Sequence, residues 1–164
     1  MSSIPPGQEI FQELGPVPEK PADPPHSMIL VVEDEDFVRE VTCEVLLSAG
    51  YWVLRARSAT EAVRLFTGVG VKVQLLLTDI VLPGRSGQVL ARELRAISPG
   101  LRTIFISGYP QNQMNQQEIH ERDTYYLPKP FSVEMLMERV KTALGEPWLA
   151  PSEGSTAKRI WNNV

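Results

Sequence analysis

Side chains capable of chemistry stand where the apolar stretches of this 164-residue chain give out. Glu33 and Asp34 follow MILVV, Asp79 follows VQLLLT, Ser107 closes TIFIS, and Lys129 stands between Pro128 and Pro130. A carboxylate such as Asp79 is costly to bury alone. Three carboxylates gathered together would repel and drive a carboxyl pKa upward. A hard divalent cation relieves that cost. Mg²⁺ takes oxygen ligands at about 2.1 Å and keeps several waters, so two or three carboxylates suit it. Carboxylates, metal, ammonium and hydroxyl together suit a phosphoryl group, because metal and lysine offset its charge while the hydroxyl donates a hydrogen bond. Asp79, held at the end of a rigid segment, is the nucleophile candidate.

These residues lie far apart in the chain, so the elements must bring them together. MILVV reads as a buried strand, and Asp36 to Ala49 has helical spacing through Val38, Val41, Val45 and Leu46, ended by Gly50. WVLRA is a second strand, followed by a helix capped by Ser58 that carries Ala62, Val63, Leu65 and Phe66. Gln74 to Thr78 is a third strand and Gln88 to Ile97 a third helix, stopped by Pro99-Gly100. Thr103 to Ser107 is a fourth strand, and Thr124 to Leu127 a shorter fifth. Ser132 opens a last amphipathic helix through Val133, Leu136, Val140 and Leu144. Between the last two strands, QNQMNQQEIHER has only Met114 and Ile119 as anchors, so a fourth helix there is expected to be short, frayed or displaced. Strand alternating with helix predicts an α/β fold, a doubly wound parallel sheet covered on both faces. Ligands of such sheets bind beyond the carboxyl ends of the strands, where all of the candidate residues fall.

With those residues placed, the resemblance is specific. ILVVEDE, LLLTDIVLPGRSG, FISGYP and YLPKPF are similar, in order, to the four signature segments of a response-regulator receiver domain, from Met28 to about Leu144. Asp34, Asp79, Ser107 and Lys129 follow one another at intervals of 45, 28 and 22 residues, similar to the family's. The resemblance implies a flavodoxin-like (βα)5 fold with strand order 2-1-3-4-5. It implies phosphoryl transfer from a phosphohistidine, on a sensor histidine kinase or phosphotransfer protein, to Asp79. Glu33 and Asp34 match the acidic pair that holds Mg²⁺, with Asp79 and the backbone carbonyl of Val81 as further ligands. Ser107 matches the hydroxyl switch residue and Tyr126 the aromatic that changes rotamer with it. Lys129 matches the lysine that contacts the phosphoryl group, and its bond to Pro130 is usually cis in the family. Val81 and Tyr109, two residues after Asp79 and Ser107, fall at the mouth of the site, where an apolar and a bulky side chain would restrict water. Such a domain is a phosphoacceptor that assists its own phosphorylation, not an independent enzyme. The segment PGRSGQVLARELRAISPGLRTIFISGY resembles receivers attached to hybrid sensor kinases, so relay intermediate and stand-alone regulator both fit.

Other readings stand beside this one. LVVEDEDFV also fits a haloacid dehalogenase-type phosphatase, with Asp34 as nucleophile and Asp36 as general acid–base. That family needs an acidic pair on a further strand after the lysine, whereas KPFSVEMLMERV goes directly into a helix, and Asp79 would have no purpose. A receiver fold kept only as a binding scaffold is a third reading, opposed by the complete acidic set. Tyr125 is easily confused with Tyr126. Cys43 and Phe37 read as packing.

Composition bounds the rest. The chain is 43% hydrophobic and 22% charged with a net charge of -4, which suggests no attraction to nucleic acid or anionic membrane. One cysteine excludes an internal disulfide and a cysteine-based metal cluster. No secretory signal or membrane span is evident, so a cytoplasmic protein is the simplest account. Half of the 14 prolines precede Met28, so residues 1–27 are expected to form an extended leader, with 28–145 the receiver and 146–164 an irregular tail. The roughly 20 residues after Leu144 are too few for a helix-turn-helix domain. Output is therefore expected through a protein contact rather than DNA, and a homodimer through the fourth-helix face stays open.

Overall fold

Each residue of the strands Met28–Val32 (β1) and Leu75–Asp79 (β3) is buried, as expected of strands covered on both faces. The structure is a computed structural model that describes residues 27–108 and 122–146. Around β1 and β3 stand Trp52–Ala56 (β2), Arg102–Ser107 (β4) and Thr124–Pro128 (β5) in one parallel sheet of order β2-β1-β3-β4-β5. This is the flavodoxin-like (βα)5 arrangement that the resemblance implies. The edge strands β2 and β5 are more exposed than the central ones.

Successive strand residues point to opposite faces, and each face has its own core. Leu30, Val32, Leu76 and Phe105 pack with Ala62 of α2 (Ala59–Gly68) and with Leu90 and Leu94 of α3 (Gly87–Ile97). Ile29, Val31, Leu77 and Ile106 pack with Cys43 and Leu46 of α1 (Asp36–Ser48) and with Leu136 and Val140 of α4 (Val133–Leu144). Burying each such Leu or Ile contributes about 1.5–3 kcal/mol. No helix among the described residues is long and apolar enough to cross a membrane.

Local chemistry sets the boundaries. Ser58, Ser86 and Ser132 precede α2, α3 and α4, and each side chain accepts the backbone N–H three residues on. Gly145 takes the left-handed conformation that closes α4. Two expectations need adjustment. The third strand runs through Asp79 rather than ending at Thr78, because Asp79 still pairs with Ile106 of β4. Phe37 is not packing: it is 72% exposed, on the solvent face of α1 with Glu40, Glu44 and Leu47. Cys43 is fully buried, as expected. The glutamine-rich fourth helix falls, except for Arg122, outside the described residues.

Candidate functional site

The carboxyl ends of β1 and β3 bring two buried acids and one exposed acid together. Carboxylate oxygens of Glu33, Asp34 and Asp79 all lie within 4.8 Å of one another, with Glu33 and Asp79 buried and Asp34 exposed. From the end of β5, Lys129 reaches both buried carboxylates, its Nζ donating to Asp79 Oδ2 at 2.7 Å and to Glu33 Oε2 at 3.1 Å. Burial disfavours the lysine's charge, yet the hydrogen bonds to Asp79 and Glu33 hold its pKa above the ordinary value. Burial also raises the pKa of Glu33, more than the Glu35 N–H and Lys129 lower it.

Each member is held by backbone. The Val81 N–H donates to Asp79 Oδ1 at 2.8 Å, which orients the carboxylate. The Glu33 N–H donates to Ala56 O at 3.1 Å, and Glu33 Oε1 accepts the Glu35 N–H at 3.1 Å. The Lys129 N–H donates to Ser107 O at 2.7 Å, tying the ends of β4 and β5, and the Lys129–Pro130 bond is cis. Ser107 is buried at the end of β4, one residue past Ile106, the partner of Asp79. Two residues back in phase, Phe105 pairs with Tyr126, whose ring centroid is 5.6 Å away. Tyr126 is buried on that face, and Tyr125 packs against the opposite core. Val81 is 59% exposed at the site's rim, and Tyr109 lies outside the described residues.

Three supports were not legible beforehand. A Cβ on Gly87 would sit 2.0 Å from the Asp79 carbonyl oxygen, so the start of α3 passes against the very residue that ends β3. The Gly87 N–H donates to Ile80 O at 2.8 Å, and the Thr78 hydroxyl donates to Asp79 O at 3.0 Å. Arg39 of α1 donates from Nη1 to Glu33 O at 2.9 Å and pairs with Asp36. Only Gly87 had a signal, as the glycine next to the Ser86 cap.

The donor set suits a hard cation. Oxygens around an octahedral ion with ~2.1 Å bonds lie about 3.0 Å apart when adjacent and about 4.2 Å when opposite. Carboxylate oxygens that lie within 4.8 Å of one another are of that order. Asp36, by contrast, stands outside this group. A hydrogen bond from Arg39 holds its carboxyl below the ordinary value, the wrong direction for a general acid.

Comparison with known proteins agrees with this geometry. The family model of the response regulator receiver domain matches residues 29–141. The chain is similar to the sensor kinase CckA of Brucella abortus, 38% identical over 116 residues, 71% of this chain but 12% of the kinase. It is similar to the response regulator receiver protein CpdR of the same organism, 33% identical over 71% of this chain and 95% of CpdR. Among solved structures, the receiver domain from the hybrid histidine kinase CckA is 36% identical, with a TM-score of 0.61 over 72% of this chain and 99% of that one. A receiver domain protein from Clostridium thermocellum is 28% identical, with a TM-score of 0.66 over 73% of this chain and 94% of that one. On sequence, fold and the gathered acids alike, the chain belongs to the response regulator receiver domain family.

Proposed function

We propose that this protein accepts a phosphoryl group on Asp79 from a phosphohistidine of a sensor histidine kinase or phosphotransfer protein, with Mg²⁺, and so switches a protein-binding surface. A carboxylate oxygen of Asp79 attacks phosphorus in line. The new P–O bond forms as the P–N bond breaks, and the departing imidazole nitrogen keeps the electron pair and takes a proton from solvent. Glu33, Asp34, Asp79 and the Val81 carbonyl would hold the metal, which offsets charge on the phosphoryl oxygens. Lys129 transfers its ammonium from the carboxylates to a phosphoryl oxygen. Ser107 donates its hydroxyl to another.

Phosphorylation adds about two negative charges at Asp79. Drawing Ser107 toward them opens space for Tyr126 to rotate, which carries the change to the β4–β5 side of the molecule. The receiver comprises residues 28–145, with 1–27 as leader and 146–164 as tail. It acts in the cytoplasm as a phosphoacceptor rather than an independent catalyst, and its output is a contact that the receiver surface makes with another protein. The likeness to the receiver of a hybrid kinase favours a relay role.

The observation that carries this reading is the bridge of Lys129 between Asp79 and Glu33 beside the exposed Asp34. The test is incubation with acetyl phosphate with and without Mg²⁺. Acyl phosphate should form only with the metal and should be lost in Asp79→Asn. Undiminished phosphorylation of that variant would refute the proposal.

A further inference from the structure

The first turn of α1 holds a cation where helix electrostatics do not favour one. Arg39 is the fourth residue of α1, close to the positive end of the helix dipole. A plain surface pair with Asp36 would leave the guanidinium in solvent, yet the Arg39 side chain is 13% exposed while that of Asp36 is 87% exposed. Arg39 reaches back to the turn between β1 and α1. The Glu33 N–H is still in the sheet, bonded to Ala56 O, but β1 ends at Val32 and the Glu33 carbonyl is taken by Arg39 Nη1 at 2.9 Å.

The Glu33 carbonyl belongs to the peptide unit that leads into Asp34. Fixing its oxygen fixes the plane of that peptide and the position of the Asp34 Cα, leaving φ as the one backbone rotation that sets where the Asp34 side chain departs. Glu33 needs no such help, because Glu35 and Lys129 already hold its carboxylate. Asp34 is the exposed member of the three, on a turn rather than in the ladder.

We infer that Arg39 is a positioning residue that clamps the Glu33–Asp34 peptide and aims Asp34 at the cation shared with Glu33 and Asp79. The inference rests on the metal-dependent reading above and extends it to a residue that touches neither metal nor phosphoryl group. The planar guanidinium matters because it serves the carbonyl from Nη1 and the Asp36 carboxylate from Nη2, a fixed fork that the single nitrogen of a lysine does not reproduce.

Charge and geometry predict opposite signs, so the test is decisive. If Arg39 acted only as a nearby positive charge, its removal would strengthen Mg²⁺ binding, and lysine would behave as arginine does. Positioning predicts that Arg39→Ala weakens binding, by about tenfold, the low end for loss of an outer-shell partner. Arg39→Lys should fall between the two. The measurement is the Mg²⁺ dissociation constant of the full chain by calorimetric titration, with thermal unfolding recorded in the absence of metal. An affinity in Arg39→Ala equal to or tighter than wild type overturns the inference, as does a lower unfolding temperature with unchanged affinity. If Arg39→Ala does not fold, an Arg39→Lys affinity equal to wild type overturns it as well. Phosphorylation of wild-type Asp79 by acetyl phosphate separates that failure from failure of the proposed function. Wild-type protein without saturable Mg²⁺ binding would end both.

Discussion

Lys129 Nζ stands 2.7 Å from Asp79 and 3.1 Å from Glu33, so one ammonium bridges two buried carboxylates at the ends of different strands. Removing it leaves like charges facing each other in a site where the lysine side chain is 28% exposed. Lys129→Ala should lose about 1–3 kcal/mol without metal, less than a fully buried pair because water reaches the site. Mg²⁺ should restore part of that loss and raise the variant's melting temperature more than it raises that of the wild type. Equal increments in the two proteins would contradict this view of the bridge.

Gly87 permits the close passage of α3 behind Asp79. With the Asp79 carbonyl 2.0 Å from where a Cβ would be, Gly87→Ala must displace backbone rather than a flexible side chain. The expected cost is about 3 kcal/mol, the upper part of the range for overpacking. Urea denaturation checks the stability, and the initial rate of acetyl-phosphate labelling should fall with it. A variant as stable as wild type would show that the segment has room to move.

Cys43 gives a pH dependence of known sign. Its thiol is fully buried, and burial raises its pKa to about 11. An unfolded thiol ionises near pH 8.5. Stability from this residue is therefore intact below about pH 8.5 and is lost as pH rises toward 11, at up to roughly 1.4 kcal/mol per pH unit. Urea midpoints between pH 8 and 10.5 should fall more steeply for wild type than for Cys43→Ala. Parallel slopes would contradict the burial argument.

Val81 places a half-exposed apolar side chain at the rim while its N–H holds Asp79. Replacing it with alanine or glutamate keeps the N–H but removes the cover against an in-line water. The phosphoryl group on Asp79 should then hydrolyse several-fold faster, measured by its decay after the donor is removed. An unchanged lifetime would show that Val81 does not control access.

Alternation of apolar runs with helical periods made the parallel sheet legible, and the residues that end those runs located the site. Lys129 was readable because two prolines flank it, and Asp79 because a Pro-Gly turn follows close behind. Phe37 was misread because it lies one residue out of the stripe that runs from half-buried Val38 to buried Thr42 and Val45, a phase error that a single helix turn cannot reveal. Arg39 and Gly87 escaped for another reason. Each acts on the backbone of a residue reached through a turn, Glu33 or Asp79, and such contacts leave no periodicity behind, the glycine beside the Ser86 cap being the one residue-type trace.

In the proposed function Asp79, and no neighbouring acid, carries the phosphoryl group. Borohydride trapping of the acyl phosphate after Mg²⁺-dependent labelling, followed by peptide mapping, identifies the acceptor. The reduced product should lie at Asp79 alone, in the peptide that runs from β3 into α3. A product at Asp34, or none under conditions where Mg²⁺ binds, would contradict it.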